Sequence, residues 1–248
     1  MKLRRLGMQC GLCLAFILSG CATHSQLTAH LPQTFLEGVD LKNKEDRLPY
    51  EHSWIKPKVD WAKYKGVYVA PVRTDLLSSD DWKLSYSAVV ASADDFKKEA
   101  AILATYFHEQ IIEALKNEKG AGLSKVESQA GPGILKLEIA FTGLEFSHPV
   151  TQAGSLLVPV PASGLAMSTM ANPYVMFAAR ITDSQTGELL ATAADRRYSP
   201  RRLVNFNKLT ATSPNREVCA LLAEEFAEAF SSDSLTKVEA TRWKLIPW

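Results

Sequence analysis

The sequence predicts an α+β body, a two-layer sandwich with helices packed on one face of a mainly antiparallel sheet. Three patterns predict it. Residues 134–146 alternate between apolar and polar over a long run. Two further β-type runs, 174–182 and 189–198, are joined by the turn-forming stretch Asp183-Ser184-Gln185-Thr186-Gly187-Glu188. Two other stretches, 94–119 and about 214–230, repeat apolar residues at helical spacing.

In chain order, the first strand expected is 65–72, with Val67 and Val69 on one face, Tyr68 and Ala70 on the other, and Pro71 ending it. Residues 73–92 read as a polar insertion carrying Trp82 and Tyr86. The first helix places Phe96, Ala100, Leu103, Phe107, Ile111 and Ala114 on one stripe. Ser92, three before Asp95, caps its start, and Gly120 stops it. In the strand that follows, Leu135, Leu137, Ile139 and Phe141 face one side and Lys136, Glu138 and Thr142 the other. The hairpin loop then needs Gly187 at positive φ. The last helix is capped by Ser213, has Pro214 in its first turn, and buries Cys219, Leu222, Phe226 and Phe230.

Ahead of this body lies a targeting segment. Lys2, Arg4 and Arg5 form a positive region, Leu12 to Leu18 a short apolar one, and Ser19-Gly20 the small residues before a cleavage point. Cys21 follows directly. That order is a bacterial lipobox: the Cys21 thiol takes a diacylglycerol, its freed amine a third acyl chain, and two or more chains make a lasting anchor. Ala22, rather than Asp, follows the cysteine and favours export to the outer membrane, with the periplasmic face preferred to the outer surface. The organisation expected is a signal over 1–20, a lipidated flexible tether over 21–50 and one globular domain over 51–248. The whole chain carries net charge +1, which falls to −2 once Lys2, Arg4 and Arg5 leave with the signal. Such a balance argues against nucleic acid as a partner. Cys10 and Cys13 also leave, so Cys219 has no internal thiol to pair with and reads as a buried small hydrophobe.

Several stretches together resemble the bacterial lipoproteins of the DUF3313 family, a domain of unknown function. They are Val59-Asp60-Trp61-Ala62-Lys63-Tyr64-Lys65 running into Val67-Tyr68-Val69-Ala70-Pro71-Val72, then Leu144-Glu145-Phe146-Ser147-His148-Pro149-Val150. The most specific is Ile181-Thr182-Asp183-Ser184-Gln185-Thr186-Gly187-Glu188-Leu189-Leu190-Ala191, followed by Asp195-Arg196-Arg197. The likeness spans roughly residues 35–235; the Trp-Ala pair of the family's last helix is not evident here. The resemblance implies a secreted, lipid-anchored globular domain and brings no catalytic residues with it.

Catalytic and metal motifs are incomplete. His108-Glu109 opens like a zincin helix, but Ile112 stands where the second histidine is required, so a surface His–Glu pair is expected. His24, His30, His52 and His148 lack partners at ligand spacing. Ser163-Gly164 lacks the upstream glycine of a nucleophile elbow, and Gly120, Gly122, Gly131 and Gly133 do not bridge a strand to a helix as a phosphate loop does. No cofactor, metal or small-molecule substrate is expected.

Three surfaces remain as interaction candidates. Residues 146–179, which the sequence marks as poor in charge, include Leu156, Leu157, Val158, Val160, Leu165, Met167 and Met170, while Pro149, Pro159, Pro161 and Pro173 forbid a spanning helix. This stretch either folds back as core cover or docks a partner or membrane. Arg196, Arg197, Arg201 and Arg202 could grip a phosphate or carboxylate, or pair with local acids such as Asp195. The C-terminal Trp243-Lys244-Leu245-Ile246-Pro247-Trp248 is a weaker apolar surface. The function expected is that of a non-enzymatic outer-membrane lipoprotein, an accessory or structural subunit binding other envelope proteins, for example in a secretion or transport complex. The alternatives are a peptidoglycan- or anionic-lipid-binding module using the four arginines, and, less favoured, an envelope hydrolase.

Overall fold

The computed structural model describes residues 32, 34–36, 39, 48–78, 80–83, 85, 90–118, 123, 125–146, 173–199 and 213–231. Cys21 and the signal, the seven apolar residues from Leu156 to Met170, Arg201, Arg202 and the C-terminal 243–248 lie outside the described residues.

Five strands form one sheet: β1 (His52–Ile55), β2 (Gly66–Val69), β3 (Ile134–Glu145), β4 (Tyr174–Asp183) and β5 (Leu189–Tyr198). Their spatial order is β1-β5-β4-β3-β2. The β1–β5, β5–β4 and β4–β3 pairs are antiparallel, whereas β2 joins β3 in parallel. Among the described residues, two α-helices, α1 (Ala93–Asn117) and α2 (Ser213–Ser231), join the sheet. The expected α+β sheet-and-helix arrangement is therefore present. The structure adds β1, a strand of four residues whose sequence His-Ser-Trp-Ile carries no clear alternation. The first turn of α1 is closed as its sequence requires: Ser92 Oγ accepts from the Asp95 N–H (3.2 Å) and donates to the Asp95 carboxylate (2.7 Å).

The core lies between the sheet and the two helices. From α1 come Phe96, Ala100, Leu103, Phe107 and Ile111; from α2 come Cys219, Leu222, Phe226 and Phe230; all are buried. Leu115, and not the half-buried Ala114, completes the buried stripe of α1. Phe107 stacks on Phe141 with ring centroids 5.9 Å apart and planes 4° from parallel. Tyr50, Phe177 and Phe226 pack mutually at 5.4 to 5.7 Å. Such ring pairs add about 0.5–1.5 kcal/mol each beyond the area they bury.

A bulge in β3 sets which face its last residues occupy. Strict alternation from Leu135 and Leu137 would carry Gly143 and Glu145 onto the helix-covered face. The register instead shifts between Phe141 and Gly143. Leu144 and Phe146 consequently join the main core, and Glu145 is turned to the opposite face.

That opposite face, helix-free among the described residues, is small-residue at its centre. Ala140, Ala178 and Ala194 align on β3, β4 and β5 and pack with Phe35 and Leu36, which are 4 % and 1 % exposed. Three alanines in a row leave a depression that an aromatic ring fills. The Arg180 guanidinium sits 4.7 Å above the Phe35 ring and its Nη1 donates to the Phe35 carbonyl at 3.3 Å. Residues before position 51 therefore join the body: Phe35 and Leu36 on this face, and Tyr50 on the other.

Candidate functional site

The two ends of β4 carry different polar chemistry. At the turn end, Asp183 closes β4. Its Oδ2 accepts from the Tyr64 hydroxyl (2.9 Å) and the Lys63 ammonium (3.3 Å), and its Oδ1 from the N–H groups of Gln185 and Thr186 (3.0 Å each). Burial alone would raise its pKa, but the Thr186 N–H, the Tyr64 hydroxyl, the Gln185 N–H and Lys63 outweigh it and hold the carboxyl at about 2. Ser184 Oγ donates to the Gly131 carbonyl (2.7 Å) and accepts from its N–H (2.9 Å). Gly187 has φ +74° and donates its N–H to the Asp183 carbonyl, as the bulged turn requires. Two of the stretches that carry the family resemblance, 59–65 and 181–191, thus meet in one clip. Asp60 supports it by accepting from the Ala62 N–H and so starting the short 3₁₀ turn Trp61–Lys63.

At the other end, β3, β4 and β5 present a cluster on the helix-free face. Glu145 pairs with Tyr174, and Tyr174 with Tyr198; one step inward, Gly143 pairs with Met176, and Met176 with Arg196. The Arg196 guanidinium lies 5.0 Å from the Tyr174 ring centroid and 5.9 Å from that of Tyr198. It also donates to the Tyr198 hydroxyl (3.2 Å) and the Met176 sulfur (3.1 Å). Gly143 makes room for this layer, since a Cβ there would come within 3.0 Å of the Met176 sulfur. Tyr198 is 49 % exposed. Glu145 is 4 % exposed, and its Oε1 has no hydrogen-bond partner. Burial raises its pKa to about 7, against a smaller lowering by Arg196. Burial likewise pushes Tyr174 up to about 12. Asn215, in the first turn of α2, ties the end of this layer by donating to the carbonyls of Glu145 (3.1 Å) and Tyr174 (3.0 Å).

Arg196 and Arg197, adjacent in sequence, point to opposite faces of the sheet. Arg197 faces α2, where Nε donates to Asp195 (2.6 Å) and Nη2 to Glu225 (3.1 Å) and the Pro49 carbonyl (3.0 Å). Burial raises Asp195 and Arg197 partly offsets that rise. The two arginines do not converge on one anion. His108 is half-buried rather than forming a surface pair with Glu109, and its Nε2 lies 3.2 Å from the Val69 carbonyl, tying α1 to β2. Cys219 is fully buried among apolar neighbours, which pushes its thiol pKa well up. Among the described residues, no three His, Cys, Asp or Glu side chains come together as a metal site. Nor does any helix there have the length and apolarity to cross a membrane.

The model of the family described as "Protein of unknown function (DUF3313)" matches residues 32–227. The chain belongs to the DUF3313 family. No curated protein matches it. Among solved structures, this DUF3313 chain is similar to the PelC dodecamer from Paraburkholderia phytofirmans, at 10% identity and TM-score 0.32 over 70% of this chain and 96% of that one. It is also similar to a DUF330 protein from Xanthomonas campestris, at 9% identity and TM-score 0.36 over 71% and 90%. A PDZ domain protein from Parabacteroides distasonis matches at 13% identity and TM-score 0.38 over 75% of this chain and 36% of that one. Likenesses this distant carry no argument about function.

Proposed function

We propose that this DUF3313 protein is a lipid-anchored accessory protein of the bacterial cell envelope, held at the outer membrane through acylated Cys21, and that it docks other envelope proteins without catalysing a reaction. The observation that carries this reading is the Tyr174–Arg196–Tyr198 stack on the helix-free face, with Tyr198 49 % exposed. Tyrosine and arginine are the side chains that most often dominate protein–protein contacts, because each offers a large, stiff surface with a polar tip. The stack also borders both ends of the uncharged segment 147–172, since Glu145 and Tyr174 flank it in sequence. The interior charges support a binding role over a chemical one. Asp183 holds the Tyr64 clip, Glu138 pairs with Lys136 and Arg180, and Asp195 and Glu225 share Arg197.

The test is extraction of the native chain in mild detergent, followed by native sizing and mass spectrometry of what accompanies it. A defined assembly that loses its partner on Tyr198→Ala or on deletion of 147–172 supports the proposal. A lone monomer or dimer overturns it, and co-sedimentation of that species with sacculi would favour peptidoglycan binding. Mass analysis of the extracted chain also tests the anchor: Cys21→Ala removes the acyl mass and leaves the signal attached if Cys21 is the lipidated residue.

A further inference from the structure

The alanine row of the helix-free face is a built site for one aromatic side chain, and the docking role does not use it. Pro32, whose ring fixes its φ, starts a short turn: its carbonyl accepts from the N–H groups of Phe35 (2.9 Å) and Leu36 (3.0 Å), and the Leu36 carbonyl accepts from Val39 (3.2 Å). The turn carries Phe35 and Leu36 onto Ala140, Ala178 and Ala194, with Trp54 and Leu76 packed beside them. A side chain larger than alanine on any of the three strands would take the space the ring fills. Two guanidinium groups hold that ring, Arg180 at 4.7 Å from its centroid and Arg73 at 5.4 Å. Each is oriented by a carboxylate. Glu138 accepts from Arg180 at 2.9 Å, and Asp75 accepts from Arg73 at 2.6 and 2.9 Å. The place of this pin along the chain bears on the anchor. Fourteen peptide steps separate Cys21 from Phe35, whereas twenty-seven separate it from Leu48, the next residue described as packing on the main core. Coils of those lengths span roughly 20 Å and roughly 29 Å.

We propose that the alanine trough is a binding site for the chain's own Phe35 and Leu36, and that this strap ties the lipid tether to the docking face. The proposal rests on the reading of Cys21 as the anchor. With the strap seated, the body is held to the bilayer by the shorter length of chain, which leaves from the centre of the helix-free face. Without it, the longer length applies and the tether no longer starts from that face. Ala178, under the strap, and Tyr174, in the tyrosine–arginine stack, are four residues apart on β4, a separation of about 13 Å. A partner docked on Tyr198 is therefore kept near the bilayer, beside the point where the tether leaves.

The strap is tested on the full acylated chain in lipid nanodiscs, by energy transfer from a dye on Lys97→Cys to a labelled lipid. Lys97 is an exposed position of α1, and the buried Cys219 does not compete for the dye. Two insertions of about ten Gly and Ser residues are compared, one between Ser25 and Gln26 and one between Lys44 and Glu45. With the strap seated, the first lengthens the tether and should move the dye outward by about 6 Å, while the second adds slack between two pinned points and should move nothing. In the double variant Phe35→Ala, Leu36→Ala, both insertions should move the dye alike. Neither insertion touches the trough, so the pair stays decisive if the double variant fails to fold. Equal movement with both insertions in the otherwise unchanged chain overturns the strap. No movement with either means that another contact holds the body to the bilayer, and overturns it too. Mass analysis of the same sample separates the two readings. A chain without acyl mass at Cys21 overturns the anchor and the strap's role together, whereas equal movement on an acylated chain overturns the strap alone.

Discussion

At the turn end of the sheet Asp183 is buried among four donors; at the loop end Glu145 is buried with an oxygen that meets none. Burial pushes both carboxyl groups toward neutrality, yet Asp183 lies at about 2 and Glu145 at about 7. The difference is hydrogen bonding: each donor aimed at a carboxylate stabilises the charge that burial penalises. The most recognisable stretch of the sequence sits at the satisfied end, where it builds the clip between Tyr64 and the hairpin. It marks how the protein folds. The loop end is built instead from an alternation that a bulge interrupts.

A third carboxylate site sharpens the contrast and gives the largest expected effect. Asp195 and Glu225 are nearly as buried as Glu145, with side chains 8 % and 2 % exposed, but share Arg197. Arg197→Ala would take their shared cation from both, leaving Asp195 the Arg196 N–H at 2.7 Å. Stability measured by urea unfolding at pH 7 should fall by about 3–5 kcal/mol, because two buried charges lose their common counter-ion. A loss below about 1 kcal/mol would mean that the pair is solvated and that donors are not what separates the two ends.

At the turn end, Asp183→Ala should cost about 2–3 kcal/mol at pH 7, since it orphans the Tyr64 hydroxyl and two turn N–H groups together. The pH dependence has a definite sign. The folded pKa of Asp183 is about 2, below its ordinary 3.8, so the stabilisation is present above 3.8 and is lost as pH falls toward 2. Wild type and variant should therefore converge in acid. A gap that stays constant down to the lowest pH would show that the clip works through packing alone.

Glu145→Gln should act in the opposite direction. The folded pKa, about 7, lies above the ordinary 4.5, so the native state holds the extra proton and stability declines as pH rises from 4.5 to 7. Glutamine cannot ionise. The variant should match the wild type in acid and exceed it by roughly 1–2 kcal/mol above pH 7, a figure kept below the full shift because relaxation and water entry relieve part of the cost of a buried charge. Identical pH–stability curves would place Glu145 in contact with water.

Much of this architecture is legible in the sequence, because it rests on periodicity. The stripe from Phe96 to Ile111, the run from Leu135 to Phe141 and the Gly187 turn follow from spacing and from the conformations each residue allows. Four features are not legible for physical reasons. The strand β1 is four residues long, too short for a pattern to emerge, and is held by its pairing with β5. The bulge between Phe141 and Gly143 reverses the phase of β3, so the face on which Glu145 lies depends on cross-strand register and not on local spacing. Arg196-Arg197 reads as one basic cluster along the chain, yet strand alternation sends the two guanidinium groups to opposite faces, one onto tyrosine rings and the other into an ion pair. Phe35 and Leu36 sit in a polar context that reads as a tether, and only the alanine row of three separate strands gives them a site.

The smallest effect on stability is expected where the effect on partners is greatest. Tyr198 is 49 % exposed at the last position of β5, so Tyr198→Ala removes half a contact with Arg196 and an edge contact with the Tyr174 ring at 5.9 Å. Unfolding should shift by no more than about 0.5 kcal/mol, the usual range for a surface position. If the helix-free face docks a partner, the same change should strip that partner from the native assembly, because a truncated anchor ring costs more in an interface than in the monomer. Tyr68, half-buried on β2, supplies the control, since Tyr68→Ala removes a ring at the far edge of the sheet. Loss of the partner with Tyr198→Ala but not with Tyr68→Ala would locate docking at the loop end. Equal loss with both would spread it across the whole sheet face.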